Sequence, residues 1–160
     1  MSRELAELCA ALRAAAPSPG EGLPDEVFRL VTQLSPMVNV DLLIRNEQGE
    51  ILLTWRDDWY FPAGWHIPGG IIRLGESAAH RISEVASREL RTGVDASPEP
   101  IAVTEFHYPE LPYRSHFISL LYECRLKNQP GIAPETWRFF GHMPENILAP
   151  HRKYARFFLE

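Results

Sequence analysis

Apolar and polar positions follow strand spacing in the middle of the chain and helical spacing near both ends. Helices are predicted at 2–15, 25–34 and 77–91, with short helical turns at 145–147 and 151–159. Strands are predicted at 38–44, 51–55, 65–67, 101–108, 116–126 and 136–140. A hairpin turn ending on Gly49 joins the first two strands. Strands on both sides of one central helix predict an α/β (α+β) sandwich.

The central helix follows a glycine pair, Gly69-Gly70, and carries one carboxylate in an unusual place. At about 100° per residue its apolar side chains share one arc, formed by Ala78, Ala79, Ile82, Val85, Ala86 and Leu90. The opposite arc is polar and includes His80, Arg81, Glu84 and Arg88. Glu89 projects from the apolar arc, so its desolvated charge needs a cation, strong donors or a bound metal. Because a glycine loop can bring backbone oxygens close to this carboxylate, the pattern favours a hard-ion site.

Composition and charge narrow the function classes. The chain has 160 residues and a net charge of -5, without a basic stripe, which predicts one domain and no nucleic-acid surface. No apolar segment reaches the length of a membrane span, and charged residues interrupt the N-terminal segment. Cys9 and Cys124 lack zinc or CxxC spacing and are expected to be free thiols. The sequence therefore predicts a soluble cytoplasmic protein without a membrane partner.

From Gly70 onward the sequence resembles the Nudix box, G-x5-E-x7-R-E-U-x-E-E-x-G-U, in which U is aliphatic. The matching residues are Gly70, Glu76 and Glu89. The box arginine, its neighbouring glutamate and the first glutamate of the later pair are replaced by Glu84, Val85 and Arg88. The closing glycine is displaced to Gly93. This degenerate box resembles that of the GDP-mannose mannosyl hydrolase branch, which also lacks two of the glutamates.

The resemblance extends over about 36–140 and implies a Nudix-type α/β/α sandwich with a mixed sheet in residues 36–160. Residues 1–35 are then an N-terminal helical extension, packed on the core or on a second subunit of a possible homodimer. The implied activity is hydrolysis of a nucleoside diphosphate linked to another moiety, such as a nucleotide sugar like GDP-mannose. The implied cofactor is Mg²⁺ or Mn²⁺.

The same resemblance implies roles for particular residues. Glu89 and the carbonyl of Gly69 would hold the metal, and Glu76 is a further metal and catalytic candidate. Asp41 and Arg56 match positions that contact nucleotide or diphosphate. The related branch takes a metal ligand and its general base from a Gln-His pair before the last strand, where this chain has no histidine. The candidates for the base that activates water are Glu135, Glu105 and His116, in that order, and His107 and His116 are candidates for substrate contact.

Structural roles compete with these assignments. Glu89 could form a buried ion pair with an arginine from another element, and Glu76 could favour the helix start through the helix dipole. Arg81 or Arg88 could then replace the missing box arginine beside Glu76. Two ion pairs are further structural alternatives: a solvated pair between Glu84 and Arg88, and a surface pair of Arg56 with Asp57 or Asp58. Four aromatic residues could form a lid or part of the core instead of a base-stacking site: Trp59, Tyr60, Phe61 and Trp65.

A different class of function also remains open. Because Val85 and Arg88 replace two carboxylates, the chain could be a nucleotide-sugar-binding or regulatory module with little catalysis.

Overall fold

A computed structural model describes residues 2–58 and 62–158, so the predicted roles of Trp59, Tyr60 and Phe61 lie outside the described residues. The α-helices are α1 (Arg3–Ala15), α2 (Asp25–Leu34) and α3 (Ala78–Val85), which continues as a π-helical turn (Ala86–Leu90). The strands are β1 (Met37–Ile44), β2 (Ile51–Arg56), β3 (Gly64–His66), β4 (Gly69–Ile71), β5 (Val94–Ala96), β6 (Ala102–His107), β7 (His116–Leu126) and β8 (Trp137–Phe140). Two 3₁₀ helices span Pro134–Thr136 and Ala149–Phe157.

Two sheets form the centre of the domain. The larger sheet has the order β4-β1-β7-β5, with β6 also paired to β7, and the smaller sheet has the order β3-β2-β8. β1 and β7 run parallel, whereas the other pairings in the larger sheet are antiparallel. The predicted α/β (α+β) class and mixed sheet are therefore confirmed.

Side-chain alternation along β1 separates two buried clusters. Val40, Leu42 and Ile44 pack in one cluster with residues of α3 and the π-helical turn. Leu43 joins the other cluster with Tyr154 of the C-terminal 3₁₀ helix. Because successive strand residues point to opposite faces, Asp41 shares the face of Leu43. The fold thus places this carboxylate toward the C-terminal 3₁₀ helix.

Most predicted elements are confirmed, and the exceptions are short or lie at a helix end. The helices at 2–15 and 25–34 and the strand at 116–126 have the predicted extents within one residue. β4 and β5 were not predicted, because three residues are too few to establish an alternation. The prediction of a regular helix through residue 91 was wrong, because π-helical geometry begins at Ala86. The helical turns predicted at 151–159 form a 3₁₀ helix, Ala149–Phe157. The helical turn predicted at 145–147 was wrong, because Ile147 forms a β-bridge with Trp65.

The N-terminal helices differ in how they contact the sheets. α1 buries none of its residues. α2 contacts the loop before β7: the Nε2 of Gln33 donates to the carbonyl of Pro112 at 2.9 Å, and the N–H of Arg114 donates to Oγ1 of Thr32 at 3.2 Å. No helix among the described residues is long and apolar enough to cross a bilayer. Cys9 and Cys124 are free thiols, as predicted.

Candidate active site

A cavity of about 1250 Å³ is lined by residues of both sheets, of α2, of α3 with its π-helical turn, and of the C-terminal 3₁₀ helix. Four residues predicted for the site line this cavity: Asp41, Arg56, Gly69 and Glu89. They come from β1, β2, β4 and the π-helical turn. The fold therefore brings together side chains that are distant along the sequence.

The other four predicted residues, Glu76, Glu135, His107 and His116, are not among the described lining residues. Nε2 of His116 lies 2.9 Å from Oε1 of Glu105, and the rings of His107 and His116 are 5.2 Å apart. Glu135 lies in the 3₁₀ helix before β8, directly before Thr136, which does line the cavity. Among the candidate bases, Glu135 is therefore the sequence neighbour of a residue that lines the cavity, whereas Glu105 and His116 contact each other.

Asp41 is the most completely buried of the predicted residues. Its side chain faces Gly69, the registered partner of Asp41 across β1 and β4. Its Oδ2 accepts hydrogen bonds from the Ser119 hydroxyl at 2.6 Å and the Tyr154 hydroxyl at 2.7 Å. Burial raises the pKa of Asp41 above its usual range; the two hydroxyls and the charge of His66 lower it, and the charge of Glu89 adds a smaller increase. The charge of the Glu89 carboxylate therefore acts on the buried carboxylate of Asp41.

Glu89 lies in the π-helical turn, with its side chain 30% exposed. Single π-helical turns within α-helices occur frequently at functional sites. Oε2 of Glu89 lies 3.5 Å from Nε2 of His66, and Nδ1 of His66 lies 2.9 Å from the carbonyl oxygen of Thr54. The ionisable group that faces Glu89 at this distance is therefore an imidazole, whereas the structural alternative to a metal role had been an arginine.

The carboxylate of Glu76 is used inside the glycine-rich loop and α3. It accepts hydrogen bonds from the backbone N–H of Arg73 at 2.9 Å and from Nε of Arg81 at 2.8 Å, and lies 2.8 Å from Nδ1 of His80. Desolvation raises its pKa, but the donors of Arg73, His80 and Arg81 outweigh that effect and lower the pKa to about 2. Arg81 thus pairs with Glu76, as one sequence alternative proposed.

Arg81 is a correction to the helical-wheel analysis. The wheel placed it on the solvated arc, but Arg81 is only 6% exposed and lines the cavity. Its guanidinium is compensated by Glu76, with Nη2 at 2.7 Å from Oε2. The predicted ion pair between Glu84 and Arg88 is confirmed, with a separation of 3.0 Å and with Arg88 largely exposed.

Arg56 contributes a guanidinium to the cavity wall. Its side chain is partly buried, and its Nε contacts Oδ2 of Asp58. The predicted surface pair with the following aspartates is thus present. Because Arg56 also lines the cavity, pairing does not prevent a diphosphate from reaching it.

His151, which sequence reasoning missed, also lines the cavity. Burial, helped by the charges of His66 and Arg56, lowers the pKa of His151 to about 3, so the ring is neutral near pH 7. The N–H of Ile67 donates to its Nδ1 at 3.4 Å, which leaves the ring proton on Nε2. His151 can therefore offer a neutral N–H donor. Its position in the predicted C-terminal turns carried no signal of this role.

His66 was missed as well. It stands in the short strand immediately before the glycine pair, and its sequence signal was its place beside that motif. In β3 it pairs with Thr54 of β2, which positions its ring at the cavity. The structure thus adds two histidines to the predicted constellation.

The sequence is similar to known proteins. The NUDIX domain family matches residues 35–154. Over 93 residues the chain is 33% identical to the low-salt glycan biosynthesis protein Agl8 of Haloferax volcanii, covering 58% of each protein. The matched region thus spans little more than half the length of that relative.

Solved structures share the fold. A MutT NUDIX hydrolase from Burkholderia pseudomallei superimposes with a TM-score of 0.64 at 19% identity, covering 76% of this chain and 97% of that one. An ADP-ribose pyrophosphatase from Streptococcus suis gives a TM-score of 0.53 at 19% identity, covering 72% and 81%. The family match over most of the chain, together with the glycine pair and the helical glutamate at the cavity, shows that this protein belongs to the Nudix family and is a Nudix-type hydrolase.

Proposed function

We propose that this chain is a divalent-metal-dependent hydrolase of a nucleoside diphosphate linked to another moiety, with a nucleotide sugar of the GDP-mannose type as its substrate. The observation that carries the proposal is the convergence of Asp41, Arg56, Gly69 and Glu89 on one cavity. The similarity to Agl8, which is named for glycan biosynthesis, supports a sugar-linked substrate. The structural likeness to an ADP-ribose pyrophosphatase supports a nucleoside diphosphate linked to a sugar.

The donors at the cavity fit a hard divalent cation. Glu89 and Asp41 are two carboxylates on one wall, and the charge of Glu89 raises the pKa of Asp41. A cation near both would remove this unfavourable interaction, and oxygen ligands suit Mg²⁺ or Mn²⁺. Among residues 2–58 and 62–158, no three His, Cys, Asp or Glu side chains form a ready-made metal cluster. Glu89 and the Gly69 carbonyl would therefore hold the ion together with water and substrate phosphate oxygens, as is common for Mg²⁺.

When bound, the ion would neutralise charge on the diphosphate as a bond to it breaks. Arg56 would orient the diphosphate through its planar guanidinium, and the Nε2–H of His151 would donate to a phosphate oxygen. Asn39 lines the cavity, and its Oδ1 is buried without a hydrogen-bond partner among the described residues, so a substrate N–H or O–H would satisfy it once the side chain turns toward the cavity. The chain's own residues thus offer separate contacts to the diphosphate and to a polar substituent.

The activating base and the role of Glu76 remain proposals. Glu135 is the first candidate because the next residue, Thr136, lines the cavity. Glu105 and His116 follow, and His107 and His116 remain candidates for substrate contact. The metal role of Glu76 stays a prediction; its hydrogen bonds with Arg73 and Arg81 support a role in holding the glycine-rich loop.

The test is turnover of a panel of nucleotide sugars and dinucleotides in Mg²⁺ or Mn²⁺, with products identified by mass spectrometry in ¹⁸O water. We expect Glu89→Gln to lower metal-dependent turnover at least 100-fold, with the fold intact. Glu84→Gln, which alters an exposed helical ion pair, serves as the matched control. Unchanged turnover in Glu89→Gln would refute the assignment, and the labelled product would show which bond water attacks.

A binding module with little catalysis is the second candidate function. It is favoured by the positions that replace the box carboxylates: Val85 is buried in the core, and Arg88 pairs with Glu84 at the surface. Neither residue substitutes for a missing carboxylate at the cavity. Calorimetry with GDP-mannose separates the two candidates, because a module of this kind would bind without metal and without turnover.

Homodimerisation and a cytoplasmic location also remain proposals. α1 buries no residue and exposes Leu5 and Leu8, which supports packing of residues 1–35 against a second subunit. Light scattering coupled to size-exclusion chromatography tests this, and a monomer at high protein concentration would contradict it.

A further inference from the structure

We propose that His66 supplies a nitrogen ligand to the divalent ion beside Glu89, so that the site favours Mn²⁺ or Co²⁺ over Mg²⁺. This inference rests on the proposed metal-dependent function. His66 is not among the residues that the Nudix resemblance implies as oxygen ligands of the metal.

The contact with Thr54 determines which nitrogen of His66 is available. Nδ1 lies 2.9 Å from the backbone carbonyl oxygen of Thr54. A carbonyl oxygen can only accept, so Nδ1 must carry the proton and donate. In the neutral ring the lone pair is then on Nε2. A second nitrogen fixed by a backbone carbonyl is a usual arrangement for histidines that bind metals.

That lone pair faces the proposed metal ligand. Nε2 lies 3.5 Å from Oε2 of Glu89, beyond the usual range of about 2.7–3.2 Å for an N–H···O hydrogen bond. When the ring is neutral, Nε2 and Oε2 of Glu89 are both acceptors and gain from a cation between them; the Thr54 hydroxyl, 3.4 Å from Nε2, is the donor that competes with such a cation. Ligand atoms at right angles around a metal, each about 2.1 Å away, lie about 3 Å apart. A small rotation of either side chain therefore brings both atoms to coordination distance.

The surroundings hold the imidazole in place. The His66 side chain is 13% exposed, and its strand register with Thr54 fixes the backbone beneath the ring. The ring of His151 lies 6.0 Å away and is neutral near pH 7, because burial lowers its pKa to about 3. His151 therefore adds no positive charge against a bound cation.

The mixed donor set has a consequence for metal choice. Mg²⁺ prefers oxygen ligands and near-ideal octahedral geometry, whereas imidazole nitrogen binds the later divalent metals of the first transition series more strongly. One nitrogen beside the Glu89 carboxylate therefore favours Mn²⁺ and, more strongly, Co²⁺. The competing arrangement is an ion pair between imidazolium and Glu89, which would contain no metal–nitrogen bond.

Pulsed electron paramagnetic resonance of the full chain loaded with Mn²⁺ alone distinguishes these arrangements, because a directly bound histidine gives a ¹⁴N coupling. We expect the coupling in the wild type and its loss in His66→Gln. Calorimetry should show Mn²⁺ affinity falling at least tenfold in His66→Gln, with Mg²⁺ affinity changed less than threefold. His142→Gln, an exposed histidine outside the described cavity wall, is the control and should retain the coupling.

The outcomes separate this inference from the proposed function. Absence of ¹⁴N coupling in the wild type would overturn the role of His66, even if the variant failed to fold. If Glu89→Gln alone lost Mn²⁺ binding and turnover, the hydrolase would stand and the nitrogen ligand would be refuted. If the wild type bound neither Mn²⁺ nor Mg²⁺, with or without GDP-mannose, both proposals would fail.

Discussion

Gly69 and the carboxylate of Asp41 are in such close contact that a Cβ at position 69 would overlap Oδ1 of Asp41 and lie 2.8 Å from the backbone oxygen of Val40. The carboxylate cannot easily move away, because Ser119 and Tyr154 hold its other oxygen. Glycine at position 69 therefore lets β4 pair with β1 while a charged side chain occupies the space beside it. The glycine pair is thus needed for packing as well as for the proposed ion site.

We expect Gly69→Ala to destabilise the protein by about 1–3 kcal/mol, the usual effect of inserting a methyl group into close-packed surroundings. Metal-dependent turnover should also fall at least tenfold, because β4 and its carbonyl must shift. Denaturant unfolding and turnover assays measure the two effects. In the control Gly93→Ala, the new Cβ would meet mainly the flexible side chain of Lys127, at 3.1 Å. Equal effects of the two substitutions would contradict this account.

The hydroxyl of Tyr154 stabilises the buried carboxylate of Asp41. We expect Tyr154→Phe to cost about 1–3 kcal/mol of unfolding free energy, because Asp41 loses a donor in a desolvated position. The Tyr154 and Ser119 oxygens are themselves 2.8 Å apart, so the two residues should be coupled. A double-mutant cycle of Tyr154→Phe and Ser119→Ala tests this with unfolding measurements. Strict additivity of the two substitutions would disprove the shared network.

The ion pair of Glu76 with Arg81 should make stability depend on pH in acid. The folded-state pKa of Glu76, about 2, lies below its ordinary value of 4.5. The ionised carboxylate therefore stabilises the fold fully above about pH 4.5, and this contribution is lost as the pH falls from 4.5 toward 2. We expect Glu76→Gln to lose about 2–3 kcal/mol at pH 7 and little relative to wild type near pH 2.

Urea unfolding at a series of pH values measures this difference. Glu84→Gln is the matched control, since its exposed i,i+4 pair with Arg88 should contribute no more than about 0.5 kcal/mol. A loss in Glu76→Gln that stayed constant between pH 7 and pH 2 would show that the buried ion pair is not its cause.

Arg56 should act mainly in substrate binding. A lysine there retains the charge but cannot reproduce the planar, two-point contact of a guanidinium with a diphosphate. We expect Arg56→Lys to raise KM for the nucleotide sugar about tenfold while kcat changes less than threefold. Steady-state kinetics with Arg88→Lys as the surface control measure the difference. A fall in kcat at unchanged KM would instead place Arg56 in transition-state stabilisation.

The positions of most secondary-structure elements were predictable because hydrophobic periodicity is a local property. The apolar pattern at 116–126 matches the bounds of β7, and the amphipathic pattern at 25–34 matches those of α2. The Nudix resemblance predicted Gly69 and Glu89 as metal ligands, and both residues line the cavity. The sequence could therefore indicate the fold class and the centre of the candidate site.

The local geometry around Glu89 was not predictable in the same way. A wheel assumes a constant turn per residue, and the π-helical turn from Ala86 changes that angle where the glutamate occurs. The wheel also assigned Arg81 to solvent, although burial of its guanidinium is possible once Glu76 compensates the charge. The burial of Arg81 depends on Glu76 in the loop before α3, which a wheel of one helix leaves out.

What the sequence by itself determined is the set of local elements, the Nudix resemblance and the unusual helical carboxylate. Only the tertiary structure decided which distant groups meet that carboxylate or its neighbours. Tyr154 reaches Asp41 across 113 positions, and His151 reaches the backbone of Ile67 across 84. Such contacts depend on how the sheets and 3₁₀ helices pack together, because the whole fold determines which groups are buried and which hydrogen-bond partners they find. They therefore produce no periodic pattern in the sequence.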